Sequence, residues 1–139
     1  MSKNIYISID TNNQEKISNY NTVPIQEVPN IINGCIDNIV CECLDQIDIK
    51  HRDSVLSSIL SKLSFEGSAT FKFINGSVLA SRILKNEINE DKLSEIIQNT
   101  QSVWTEPKIA EFFNKISNIS IQKNYIDNIY TVITVYKQI

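Results

Sequence analysis

Cys35 to Asn75 reads CIDNIVCECLDQIDIKHRDSVLSSILSKLSFEGSATFKFIN, a strand, a helix and a second strand in succession. Ile36 to Cys43 is apolar on both faces apart from Asp37, Asn38 and Glu42, the pattern of a central strand covered on both sides. The pattern breaks between Leu44 and Lys50, where Asp48 or Asp53 can cap the next helix. Val55, Leu56, Ile59, Leu60 and Leu63 then mark one face of a helix over His51 to Leu63, with Ser57, Ser58, Ser61 and Lys62 opposite. Gly67 is read as the stop after that helix. Ala69, Phe71 and Phe73 alternate with Thr70 and Lys72 in a strand over Ser68 to Ile74. This β-α-β order is one half of a parallel α/β sheet.

Upstream, Ile5, Ile7 and Ile9 alternate with Tyr6 and Ser8, so Asn4 to Asp10 is a strand closed by Asp10. Thr11 to Asn21 is a polar loop, Thr22 to Ile25 a brief strand, and Pro29 to Asn33 a single turn. Downstream, Ser77 to Asn86 and Glu90 to Gln98 read as helices, the second capped by Asn89. Thr105-Glu106-Pro107 opens another, with Ile109, Ala110, Phe112, Phe113 and Ile116 as its buried stripe. Ile119 to Ile126 and Tyr130 to Tyr136 flank Asp127-Asn128 and form an antiparallel hairpin. The fold class is α/β: a mostly parallel sheet with flanking helices and a C-terminal antiparallel hairpin.

A chain of 139 residues is large enough for one core and not for two, so residues 1–139 are read as a single domain. Net charge is −3. Binding to nucleic-acid phosphates needs a concentrated basic surface, so no nucleic-acid partner is expected. The tightest basic cluster, Lys50 to Arg52, runs into Asp53 and reads as a solvated helix start. No apolar run approaches the ~20 residues that span a bilayer, and no signal-peptide core follows the N-terminal Met-Ser-Lys-Asn. No membrane partner is therefore expected, and the location is read as cytoplasmic. Abundant Ile, Asn, Ser and Lys point to AT-rich coding, in a bacterium or one of its phages. A phage product would sit in the host cytoplasm or the virion.

Cys35, Cys41, Cys43 and His51 make four potential zinc ligands. Cys-x-Cys within an apolar strand, however, lacks the turn that aims two sulfurs at one ion, and free cysteines pack well in cores. No metal is expected. Asp37 and Glu42, five apart on a strand, face opposite sides and cannot converge as an acid–base pair. His51 has no Ser or Cys motif to serve, so no catalytic residue is assigned. Trp104 and Phe112-Phe113 read as core or interface residues rather than a base-stacking platform.

The segments Ile36-Asp37-Asn38-Ile39 and Leu44-Asp45-Gln46-Ile47 resemble the "fD-x-I … LEHI" stretch of class I S-adenosylmethionine-dependent methyltransferases. Leu60 to Phe71 is similar to their "vLkpGG-x-l-x-i" helix-to-strand turn, with Ser68 in place of the second glycine. Tyr6 to Asp10 is similar to their second strand, Thr22 to Pro24 to the segment after it, and the C-terminal hairpin to their last two strands. The resemblance implies that Asp10 is the cofactor-binding candidate, its carboxylate accepting from ribose hydroxyls; the alternative is an Asp that caps the following turn. In that family a first strand ends in a glycine-rich "E/D-x-G-x-G" loop that lets the backbone approach the cofactor. Here the glycines are Gly34, Gly67 and Gly76, and only four residues precede Ile5. The first strand, its loop and the first helix are expected to be missing.

The missing strand lies centrally in the family's sheet order. Its loss would leave two edges that either close on each other or are completed by another copy or another protein. The function expected from this is a non-catalytic, methyltransferase-like interaction or assembly subunit with a degenerate cofactor site and no cofactor. It would be completed through open sheet edges by a protein partner or as a homo-oligomer. The alternative is a small methyltransferase or other enzyme that binds S-adenosylmethionine in an atypical site.

Overall fold

A computed structural model of the chain describes residues 3–9 and 19–138. Among the described residues six strands form one sheet in the order β2-β1-β3-β4-β6-β5. They are β1 (Asn4–Ser8), β2 (Asn21–Pro24), β3 (Ile36–Cys41), β4 (Leu63–Ile74), β5 (Ile119–Asp127) and β6 (Tyr130–Lys137). The first four are parallel, while β6 runs antiparallel to β4 and β5 antiparallel to β6. The helices are α1 (Ile49–Ser61), α2 (Gly76–Leu84), α3 (Glu90–Asn99) and α4 (Glu106–Asn114), and short 3₁₀ turns cover Ile25–Asn30 and Leu44–Gln46. The mostly parallel sheet with its C-terminal hairpin is the fold class expected from the sequence.

β1 pairs directly with β3, Ile5 opposite Ile39 and Ile7 opposite Cys41. Of the two outcomes open for a missing central strand, the described residues take the first: its two neighbours have closed on each other.

Strand pleating sorts the core. Ile5, Ile7, Ile39, Cys41, Ala69, Phe71, Ile133 and Val135 are buried on one face, against Leu56, Ile59 and Leu60 of α1 and Ile109 and Phe113 of α4. Each such large side chain contributes about 1.5–3 kcal/mol on burial. The opposite face departs from the expectation of a strand covered on both sides. Asp37, Asn38 and Val40 of β3 are only half-buried, as are Ser68, Thr70 and Lys72 of β4. Polar side chains satisfy one another across this face. Asn38 Nδ2 donates to Asn4 Oδ1 at 2.9 Å, Ser68 Oγ to Asn38 Oδ1 at 3.1 Å, and Thr70 meets Thr134 at 3.0 Å. Apolar cover returns beyond the strand tips, where Ile74 and Ile129 pack with Ile96 of α3 and Leu79 of α2.

Gly67 does not stop a helix. α1 already ends at Ser61, and β4 begins at Leu63. The pairing register with β3 shifts between Ile36 opposite Leu63 and Asn38 opposite Ser68, leaving a bulge with Glu66 at φ 67°. At Gly67 a Cβ would stand 2.9 Å from Ser64 O and 3.0 Å from Asp37 O, so the glycine permits close backbone approach. Elsewhere the residues expected as caps occupy the N-cap positions, and two of the three cap with their side chains. Asp48 caps α1 by accepting from Lys50 N at 2.9 Å, and Asn89 caps α3 by accepting from Lys92 N at 2.8 Å. Thr105 takes the cap position of α4 without a side-chain hydrogen bond.

Candidate functional site

In an open parallel sheet, ligands gather at the carboxyl ends of the strands. Here those ends bring together Ser8 of β1, Cys41 to Cys43 after β3, and Ile74 and Asn75 after β4. Asp10 follows β1 and lies outside the described residues.

Asp45 is the charged group at the centre of this region. Its carboxylate accepts from Ile74 N at 2.7 Å, and its carbonyl accepts from Gln101 N at 2.6 Å and Ser102 N at 3.1 Å. It thereby ties the turn after β3 to the tip of β4 and to the segment before Trp104. Burial pushes the Asp45 carboxyl up to about 6, against the opposing pull of the Ile74 amide and the Arg52 charge. Asp45 also lines a cleft of about 170 Å³ with Glu42, Ile74, Lys92, Glu95 and Tyr130. Three carboxylates against one lysine make this cleft a setting for a cationic group. Its volume is below the ~300 Å³ at which pockets for whole drug-sized ligands begin.

Asn75, fully buried, holds the neighbouring turn. Its Oδ1 accepts from Ser77 N at 3.0 Å and Val78 N at 3.1 Å to cap α2. Its Nδ2 donates to Thr131 Oγ1 at 2.9 Å and to the Glu106 carboxylate.

The cysteines do not gather around an ion. Cys41 and Cys43 are buried with their sulfurs 3.8 Å apart, whereas Cys35 sits at the opposite end of β3 and His51 is exposed on the first turn of α1. Their hydrogen bond lowers the Cys43 thiol and, with burial, raises that of Cys41. Asp37 and Glu42 also lie at opposite ends of β3, and Asp37 accepts from Ser64 Oγ at 2.7 Å.

Arg52 is where the sequence reading fails. It is not solvated with Lys50 but 7% exposed, its guanidinium 4.0 Å from the Trp104 ring centre and its Nη1 donating to Val103 O at 3.1 Å. Trp104 is core, as expected, and packs edge-on to Phe112 and against Phe73. No local pattern announces a pairing between residues 52 positions apart.

No family model and no curated protein matches the chain. Solved structures do. The plantazolicin methyltransferase BpumL, in complex with a monoazolic desmethylPZN analog and SAH, is 12% identical with a TM-score of 0.64, covering 98% of this chain and 67% of that one. A SAM-dependent methyltransferase from Archaeoglobus fulgidus is 10% identical with a TM-score of 0.61, covering 94% of this chain and 74% of that one. An O-methyltransferase family protein from Burkholderia thailandensis is 13% identical with a TM-score of 0.60, covering 84% of this chain but only 36% of that one. The chain thus spans only part of the length of each. The described residues form a shortened fold similar to that of these methyltransferase structures, with β1 paired directly to β3.

Proposed function

We propose that the chain is a small S-adenosylmethionine-binding protein of the methyltransferase class, with an atypical cofactor site over the tips of β1, β3 and β4. The fold carries this reading, because a solved structure that shares it holds the demethylated cofactor. The usual seat of the cofactor does not fit: β1 and β3 pair where a glycine-rich loop would enter. The residues present fit the cationic end instead. Glu42, Asp45 and Glu95 offer carboxylates around a cleft of about 170 Å³, room for part of such a molecule. Asp10 would accept from the ribose hydroxyls. When bound, the cofactor supplies an electrophilic methyl group. Asp45, raised to about 6 and so largely ionised at neutral pH, is the group that can take up a proton at the cleft.

Calorimetry with S-adenosylmethionine and S-adenosylhomocysteine tests this. Binding in the micromolar range, weakened on the order of tenfold or more in Asp10→Ala and Glu95→Gln, is the expected result. No heat at ~1 mM of either ligand would overturn it.

A second reading, a non-catalytic interaction or assembly subunit that is phage-encoded or bacterial, has one observation in its favour. Direct pairing of β1 with β3 removes the opening through which the backbone would meet a cofactor. The edge that such a subunit would offer is β5, where Ile121, Tyr125 and Ile126 are exposed. Light scattering discriminates: a concentration-dependent dimer or higher oligomer together with silent calorimetry selects this reading, and a monomer at micromolar concentration rejects self-association.

A further inference from the structure

The helix-covered face carries a second cleft, of about 280 Å³, between α1 and α4, and both Arg52 and Trp104 line it. Arg52 Nε and Trp104 Nε1 are buried N–H donors with no acceptor among the described residues. Buried donors are nearly always paired, so two orphans on adjoining residues beside one cleft need an explanation. The Asp53 carboxylate does not supply one: it stands 3.9 Å from Arg52 Nε, beyond hydrogen-bond reach, and is 72% exposed.

We propose that this cleft binds a small organic oxyanion, a carboxylate or phosphate on an apolar body, whose oxygens accept from Arg52 Nε and Trp104 Nε1 after a side-chain shift that opens these two buried nitrogens to the cleft. Arg52 is held for this role. Its Nη1 is spent on Val103 O and its guanidinium carbon lies 4.0 Å from the indole ring centre, two contacts that restrain the side chain. Lys108 and Lys115 add positive charge at the rim. Their existing partner is Glu111, at 3.3 Å and 2.9 Å, an exposed pairing that an incoming anion can share. Counting Asp53 and Glu111 against Arg52, Lys108 and Lys115 (3 − 2), the cleft is net positive on a chain of net charge −3. Phe112 and Ile116 form an apolar wall, which suits a ligand with an aromatic or aliphatic body rather than a bare ion. The site stands whether or not the chain transfers methyl groups.

Trp104 is the one tryptophan in the chain, so its fluorescence reports on this cleft alone. Benzoate, phenyl phosphate, acetate and inorganic phosphate are titrated at constant ionic strength. The expected result is a saturable change with benzoate or phenyl phosphate at or below ~1 mM, the bare counterpart binding on the order of tenfold more weakly. Which aromatic anion binds tighter separates carboxylate from phosphate. Arg52→Lys, which keeps the charge but loses the fork, should weaken binding on the order of tenfold. Should that variant fail to fold, the exposed pair Lys108→Gln and Lys115→Gln keeps the test open, with weaker binding and an unchanged melting curve expected. No saturable change with any of the four at ~10 mM overturns the site. Binding indifferent to the lysine pair overturns it too, and bare anions that bind as tightly as aromatic ones overturn the apolar body.

Discussion

A carboxyl group held at about 6 by burial makes folding depend on pH in a definite direction. Asp45 binds its proton more tightly in the folded chain than in the unfolded one. Its contribution to stability is therefore greatest below the unfolded value of 3.8 and is lost as pH rises toward about 6. Asp45→Asn keeps an oxygen to accept from the Ile74 amide and removes the charge that burial penalises. The variant should be more stable than the parent at pH 7 by about 1–3 kcal/mol, and the decline across that window should flatten. Urea unfolding at pH 4.5 and pH 7 checks both; a variant less stable at pH 7 would mean that the Asp45 charge is stabilising where it stands. The sequence placed Asp45 in a recognisable segment but said nothing of its burial. Arg52 was further out of reach, because its exposure is decided by an indole 52 positions away.

At the scale of elements, the strand and helix periods were legible because each rests on neighbours in sequence. β1, α1, α3 and the C-terminal hairpin fall within about two residues of where periodicity puts them. Gly67 was misread for the opposite reason: a glycine between a helical and an alternating pattern looks like a helix stop, and only the partner strand shows otherwise. All three of its close approaches, to Ser64 O, Asp37 O and Ile36 O, are to backbone atoms. No flexible side chain is there to yield, so Gly67→Ala must spread β3 and β4 at the bulge. The expected cost is about 1–3 kcal/mol, the range for overpacking. A melting temperature unchanged within error would show that the bulge relaxes freely. The polar ladder of Asn4, Asn38 and Ser68 was misjudged similarly, since Asn38 sits within a run that otherwise reads as buried on both faces.

For the whole molecule, the question is whether the β1–β3 seam is as permanent as the other pairings or can open. The sheet order was inferable only up to that choice, because strand periodicity does not say which strands lie beside β1. Two terms bear on the seam. Ile5, Ile7, Ile39 and Cys41 are buried together in one core, which favours a permanent pairing. Against it, β1 is five residues long and its other neighbour, β2, is a four-residue edge strand ending in Pro24, so little holds β1 from outside. The burial term is larger: three isoleucines at about 1.5–3 kcal/mol each, with Cys41 beside them, exceed what a handful of exchangeable backbone bonds contributes. Hydrogen exchange should therefore find the β1–β3 amides opening with the β3–β4 amides, near the global limit. Much faster exchange confined to β1 and β2, slowed by S-adenosylhomocysteine, would instead reveal a seam that opens to admit a ligand.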